Sequence, residues 1–401
     1  MSATFLQGYS TVRWLLNRSL TLIALCAVST LFAAQAAAQT PFYAPSPGEL
    51  AGRPGSLIRQ EAVPGAPIGS VALRILYRST GLNGQPIAAS GIAVAPLAPP
   101  PPGGRPVIVW AHPTTGVVPK CAPSLSATFF QKVQGLLPML ERGYVVVAPD
   151  YPGLGTAGPH PYLVGESEGR AVLDAVRAVR MLPIDAGQRF AVWGHSQGGH
   201  AALYTGLIAH HYAPELELVG VAAAAPATEL GTLLRDDYKT AVGKILTTMA
   251  LWSWTRVFDA PIGNVVATDV MPTVDKLAEQ CIESRVEGLT AAMIEIPLQR
   301  KFVTVPDITK VEPWQSIMRR NTPGALRRDL PLLMIQGTAD TIVEPAITEA
   351  YVARQCKTGG AVRFMLVPGV GHDPIARDMA PIAVQWMAER FAGSPPPSDC
   401  R

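Results

Sequence analysis

Residues 190–200 read Phe-Ala-Val-Trp-Gly-His-Ser-Gln-Gly-Gly-His, an apolar run that breaks abruptly into a serine ringed by glycines. Phe190 to Trp193 has the character of a buried strand, and "GGHAALYTGLIAHHY" has the periodicity of a helix. Ser196 therefore falls where a strand turns straight into a helix, inside Gly194-His195-Ser196-Gln197-Gly198. A turn this sharp forces the serine into a strained backbone conformation. It also needs glycine on either side, because a Cβ there would collide with neighbouring chain. The strain lifts Oγ above the sheet, and the helix N-terminus directs backbone N–H groups into the space beside it, where an oxyanion could develop.

The pattern on either side agrees. "SVALRILYRSTGLNGQPIAASGIAVAP" reads as two strands around a turn at Asn83-Gly84. "PVIVWAH", "YVVVAPD", "RFAVWG", "ELVGVAAAAPA", "LPLLMIQGTAD" and "VRFMLVPGVGHD" read as further strands. Between them lie helical stretches, among them "ATFFQKVQGLLPMLERG", closed by Gly143, and "GESEGRAVLDAVRAVRML", stopped by Pro183. Strand and helix in alternation predict an α/β chain with a mostly parallel central sheet covered by helices on both faces. The alternation lapses over residues 228–324 and then resumes. This predicts a core built from 39–227 and 325–401, with 228–324 inserted as a helical lid or cap.

The 401 residues are 48% hydrophobic and 16% charged, suited to a globular protein with a sizeable core. Arg13 and Arg18 precede an apolar run from Leu20 to Phe32, and "AAQAAA" follows. That is the layout of a secretory signal peptide cleaved after Ala38, which predicts a secreted or periplasmic protein. Its removal takes the formal charge from +3 to +1, since two arginines leave. A near-neutral chain has no electrostatic case for nucleic acid. Cys26 leaves with the leader, and Cys121, Cys281, Cys356 and Cys400 remain. Four cysteines in an exported chain predict two disulfides, with three possible connectivities. No two of the four are closely spaced, which argues against a zinc site.

A serine hydroxyl needs a base, and the base needs a carboxylate to set its tautomer. "VPGVGHDP" places His372 just past the last strand, and "MIQGTADTIVE" places Asp340 past the strand before it. Ser196, Asp340, His372 is the chain order of α/β-hydrolases. Glu344 is the rival carboxylate. Asp373 adjoins His372 and would point away from the ring, and Asp150 in "APDYPGLG" braces a turn. His195 and His200 flank Ser196 at a spacing unsuited to a metal pair on one helix face. They are read as packing or hydrogen-bonding residues, with His210 and His211 solvated near a helix end. Two donors are needed for an oxyanion. One is the backbone N–H of Gln197. The other comes from "AHPTTGV", where Pro113 has no N–H, which leaves Thr114, with Thr115 as its neighbour.

The chain resembles the secretory lipase family of α/β-hydrolases. The resemblance rests on "RILYRSTGLNGQPIAASGIAVAP", "HPTTG" followed by "CAPS", "VVAPDYPGLG", "GESEGRAVLDAVRA", "GHSQGG" and the loops of Asp340 and His372. It implies a secreted, cofactor- and metal-independent carboxylic ester hydrolase with a lid, acting on acyl esters or lipids. It also implies the pairs Cys121–Cys281 and Cys356–Cys400. The departure is Pro113, where glycine is common. The expected function is ester cleavage through an acyl-enzyme on Ser196, as a triacylglycerol lipase or lipase-like esterase. The alternatives are a peptidase or amidase of the same fold and a non-catalytic binding protein on a hydrolase scaffold. Trp252 and Trp254 stand two apart and cannot share one helix face. Either both are buried between the lid and the main sheet, the commoner fate of tryptophan, or one of them lines an acyl channel or meets lipid at an open lid.

Overall fold

Nine strands form one sheet: β1 (Leu57–Ala62), β2 (Ser70–Thr80), β3 (Pro86–Pro96), β4 (Arg105–Ala111), β5 (Val145–Pro149), β6 (Ala186–His195), β7 (Glu217–Ala224), β8 (Leu332–Gly337) and β9 (Val362–Val367). The computed structural model describes residues 41–237, 240–282, 285–299 and 302–400. The expected leader, with Arg13, Arg18, Cys26 and the cleavage point after Ala38, lies outside them. The strand order is 1-2-3-5-4-6-7-8-9. The β2–β3 pair is the hairpin expected at Asn83-Gly84, and Gly84 takes a positive φ of 78°. From β5 onward along the sheet every pairing is parallel.

Parallel strands need crossovers, and helices supply them. The longer ones are α1 (Gly165–Val179), α2 (Gln197–Tyr212), α3 (Leu230–Asp237), α4 (Ala241–Phe258), α5 (Met271–Ala278), α6 (Arg285–Glu295), α7 (Pro345–Lys357) and α8 (His372–Phe391). Both faces of the central strands are thus covered, so their residues read as unbroken apolar runs. Alternation still sorts them. Ile108 and Trp110 of β4 pack with Val146, Trp193 and the apolar face of α8, whereas Val107 and Val109 pack with Val147, Val192 and helices α1 and α2. The stretch between β7 and β8 is helical, with α3 to α6 and the short helix Trp314–Arg320, and it packs on the α8 side. Trp254 of α4 is fully buried there. A buried tryptophan of this kind is worth about 3–5 kcal/mol relative to alanine.

One expected helix is broken. "ATFFQKVQGLLPMLERG" forms two short pieces, Phe129–Lys132 and Leu136–Glu141. Between them Val133 is extended and Gly135 adopts φ 86°, a left-handed conformation that ends the first piece and starts the second.

The order of strand addition reverses at β4, which has β5 on one side and β6 on the other, all three strands parallel. In a parallel sheet this opens a crevice outside the carboxyl ends of the two strands. The "HPTTG" loop leaves β4 into that crevice, and Ser196 leaves β6 into it.

Two disulfides are present, Cys121–Cys281 and Cys356–Cys400. The first ties the loop beyond β4 to the segment between α5 and α6. The second holds the tail, where Asp399 bonds to Val362 and Phe364 along the edge strand β9 and covers its free backbone groups. The bridges close loops of 160 and 44 residues. The chain-entropy argument makes them worth up to about 5 and about 4 kcal/mol. Peptide mapping of the unreduced protein is expected to recover both pairs and no free thiol, and reduction is expected to lower the thermal midpoint. A peptide joining Cys121 to Cys356 would contradict this.

Candidate active site

Ser196 stands between β6 and α2 with φ 56° and ψ −119°, a conformation that L-residues avoid and that costs about 1–3 kcal/mol. Hydrogen bonds lock it: its N–H donates to Ala224 O at 3.0 Å, and its carbonyl accepts from His200 N–H at 3.0 Å. The flanking glycines are required sterically. A Cβ on Gly198 would lie 1.9 Å from Ala111 O, and one on Gly194 would lie 2.0 Å from Gly198 O.

His372 opens α8 after the loop beyond β9, and Asp340 lies in the loop after β8. The structure brings both to Ser196. His372 Nε2 is 2.9 Å from Ser196 Oγ, and His372 Nδ1 is 2.8 Å from Asp340 Oδ2. With Nδ1–H donated to the carboxylate, Nε2 is the atom free to accept the serine proton. Asp340 is in turn fixed by others. Oδ1 accepts from the backbone N–H groups of Ile342 and Val343, each at 2.9 Å, and Oδ2 accepts from Gln336 Nε2 at 3.1 Å. Burial alone would raise the Asp340 pKa. The hydrogen bond and charge of His372, with the two N–H groups, reverse this and hold the carboxyl below its ordinary value.

The other candidates are not bonded to His372 Nδ1 or Ser196 Oγ, although His195 and Asp373 line the same cavity. Glu344 is exposed at the residue before α7, and Asp373 is exposed one residue into α8. Asp150 is buried and accepts from Ser90 Oγ and from the Ser124 N–H and hydroxyl, so it ties β3 and the segment at Ser124 to the end of β5 rather than bracing only its own turn. His210 and His211 are exposed at the end of α2. His195 donates from Nε2 to the carbonyl of His372 at 3.0 Å, which pins the backbone of that residue. His200 pairs with Glu168 at 2.6 Å.

Gln197 opens α2, so its N–H has no carbonyl partner within the helix. Across the crevice, Thr114 Oγ1 bonds Tyr162 Oη at 2.9 Å. Pro113 contributes its carbonyl, which accepts from His112 Nδ1 at 2.7 Å, and the His112 ring stacks on Tyr151. A cavity of about 520 Å³ opens beside Ser196, His372, Thr114 and Thr115. Its walls are apolar: Trp110, Phe129 and Val133 on the sheet side, and Ile245, Leu246 and Ala292 from α4 and α6.

The reading that one of the two tryptophans lines an acyl channel is corrected. Neither Trp252 nor Trp254 lines this cavity. Trp254 donates its indole N–H to Tyr162 O at 2.8 Å inside the core. Trp252 donates to Asp275 at 3.0 Å, with the Arg256 guanidinium 3.6 Å over its ring. The first two turns of α4 face the cavity, and its last two anchor the helix.

Several polar residues at the site escaped sequence reasoning. Gln336 is buried in β8 and bonds Asp340, Val343 and Thr348. Glu168 and His160 are buried and hold the Gln197 side chain. A signal was there for Glu168: with Val172, Ala175 and Val179 it falls on the apolar face of α1, where a carboxylate has no place without a partner.

A serine, an oriented imidazole and a fixed carboxylate at a strained strand–helix turn, beside an apolar cavity in a doubly covered parallel sheet, define the α/β-hydrolase class. Candida antarctica lipase A in its closed state shares the fold, with a TM-score of 0.73 at 20% identity, over 90% of this chain and 87% of that one. Residues 124–399 match the secretory lipase family, and the chain belongs to it. Lipase 10 of Candida albicans is 24% identical over 412 residues, spanning 95% of this chain and 87% of that protein. A Mycobacterium tuberculosis protein named "Probable inactive lipase" is 24% identical over 380 residues, spanning 88% and 82%. The chain is thus a carboxylic ester hydrolase of the lipase and esterase type, and the family and the two disulfides fit an extracellular location. Among the described residues, no helix is long and apolar enough to cross a membrane.

Replacing Asp340 with Asn is expected to preserve the fold and lower kcat by about 10⁴-fold, since the imidazole would be held in the wrong tautomer. Glu344→Gln is expected to change kcat little. Steady-state kinetics on a soluble ester decide between them, and the opposite ranking would move the role to Glu344.

Burial also makes stability depend on pH. It pushes His112, His160 and His195 from 6.5 to about 3, about 4 and about 3. The unfolded chain takes up these protons near pH 6.5 and the folded chain does not. Their contribution is therefore complete above about pH 6.5 and is lost as pH falls towards about 4. Asp174 acts in the opposite sense, because burial raises it from 3.8 to about 6, so its contribution is lost as pH rises through that window. Three histidines outweigh one carboxyl. The thermal midpoint is expected to fall between about pH 7 and about pH 4.5; a midpoint that rises would refute the assignment of buried neutral histidines.

Proposed function

We propose that this protein is a secreted serine hydrolase that cleaves carboxylic esters through an acyl-enzyme on Ser196. The observation that carries the reading is the continuous hydrogen-bonded line from Ser196 Oγ through His372 to Asp340. His372 takes the proton as Oγ attacks the ester carbonyl. The backbone N–H groups of Gln197 and Thr114 hold the oxyanion. His372 then gives the proton to the departing alcohol, and water repeats the sequence on the acyl group. The reaction draws on no cofactor or metal. The leader ending at Ala38 would direct export.

Residues 228–324 act as a cap on a core formed by 39–227 and 325–401. From Phe42 onward the chain clusters as one compact unit, which supports an insertion over a separate domain. The cap contributes the apolar wall of the cavity and favours acyl esters large enough to fill it, as in a triacylglycerol lipase or lipase-like esterase. Leu289, Met293 and Ile296 are exposed at helical spacing, and Val242 is exposed at the start of α4. Leu289 and Met293 adjoin Gly288 and Ala292 at the cavity and Val242 itself lines it, and this supports transient contact with a lipid surface.

A relative named for inactivity makes direct labelling of the serine the deciding measurement. A fluorophosphonate is expected to label the wild type at Ser196, and Ser196→Ala to fold and lose activity by about 10⁴-fold or more. A Ser196→Ala variant that keeps a tenth of the rate would remove the serine from the mechanism. Rate against tributyrin concentration is expected to rise past the solubility limit. A simple saturating curve with acetate esters preferred would leave a soluble-ester esterase, and faster cleavage of peptide anilides would make the enzyme an amidase.

A further inference from the structure

From the side chain of Gln197, the residue after Ser196, runs a line of buried polar groups that the proposed hydrolytic steps do not use. His160 donates from Nδ1 to Pro152 O at 2.9 Å, which leaves its Nε2 as an acceptor. Gln197 Nε2 fills that acceptor at 3.1 Å and donates its other proton to Glu168 Oε1 at 2.8 Å. Glu168 Oε2 lies 2.6 Å from His200 Nδ1, and His200 Nε2 donates to the carbonyl of Asn321 at 2.7 Å. The side chains of Glu168 and His200 have no exposed surface.

We infer that Glu168, neutralised by His200, is a positioning residue that holds Gln197 where its backbone N–H can serve the oxyanion. The inference rests on the acyl-enzyme reading above. Its first support is directional. Turning the Gln197 carboxamide over would set oxygen against the Glu168 oxygen, so the carboxylate dictates the side-chain orientation and, through it, the first turn of α2. Its second support is charge. A bare carboxylate held against the Gln197 side chain, out of water, would oppose an oxyanion forming at the N–H of that residue. One proton bridges Glu168 and His200, and whichever atom holds it, the pair has no net charge. Packing alone would not call for this arrangement, because apolar side chains of equal volume avoid the desolvation that a buried pair suffers. The line also reaches residues 228–324. Asn321 Oδ1 accepts from Gly165 N–H at 3.2 Å, and the Tyr204 hydroxyl donates to Arg320 O at 2.9 Å, so the seating of that segment on α1 and α2 is linked to the donor at Gln197.

The test compares Glu168→Ala, Glu168→Gln and Gln197→Leu, with active sites counted by exhaustive fluorophosphonate titration. Removing an oxyanion donor outright lowers kcat by 10²–10³, and displacing one is expected to lower it by about 10- to 100-fold. Glu168→Ala should show that loss in kcat per titrated site with KM within about two-fold. Its affinity for an alkyl boronic acid, which mimics the tetrahedral state, should fall by the same factor. Glu168→Gln keeps an acceptor for Gln197 and a partner for His200, and should recover most of the rate. Gln197→Leu keeps the backbone N–H but loses the anchor. It should reproduce the kcat loss, and it carries the test if Glu168→Ala does not fold. An unchanged kcat per site in the folded variants, or a change confined to KM or to thermal midpoint, would show that the line only packs. A wild type that the fluorophosphonate does not label would instead overturn the acyl-enzyme reading itself.

Discussion

The backbone of Ser196 is held where an L-residue resists going, and much of the surrounding structure exists to hold it there. Relaxing φ from 56° would recover local energy but break the bond to Ala224 and lift α2 off the sheet. The close approach of Gly198 to the end of β4 leaves no room for a side chain, so the elbow and the β4–β6 pairing stand or fall together. The strained turn puts a hydroxyl above the sheet at the crevice that the strand order opens, within reach of residues from two other strand ends.

Around that point the protein separates polar work from apolar work. Above Ser196 lies an apolar cavity lined from the sheet and from α4 and α6. Beside it lie buried polar groups joined donor to acceptor: Gln336 on Asp340, His195 against His372, and Glu168 between Gln197 and His200. In low dielectric such networks stiffen what they hold, because any misplaced group forfeits a hydrogen bond that water cannot replace. A site of this kind can align a proton path while leaving its binding wall greasy.

Much of this was legible beforehand. Alternating apolar runs and helical periods marked the sheet, since a strand buried on both faces has to be apolar throughout. Glycine spacing around Ser196 marked the elbow, and polar loops after the last two strands marked Asp340 and His372. Other features were not legible. The break at Gly135 needed its dihedral, because the flanking residues are good helix formers. The fates of Trp252 and Trp254 needed their neighbours, because helical spacing tells only that two faces differ, and not that Asp275 and Tyr162 wait at each. Glu168 carried a signal on the apolar face of α1, but its partners His200 and Gln197 lie about 30 residues on and only the fold brings them to it.

The sequence by itself determined the local grammar: which segments extend, which coil, where the serine turn falls, and which chain order the three candidate residues follow. These follow from periodicity, glycine sterics and side-chain chemistry, all of which act over a few residues. The tertiary structure alone decided distances between residues far apart in the chain. It chose Asp340 over Glu344, brought together Glu168, His200 and Asn321, selected the cavity wall from one end of α4, and joined each cysteine to its partner. Such choices depend on how sheet and helices pack in three dimensions, and packing is settled by the whole chain at once rather than by any stretch of it.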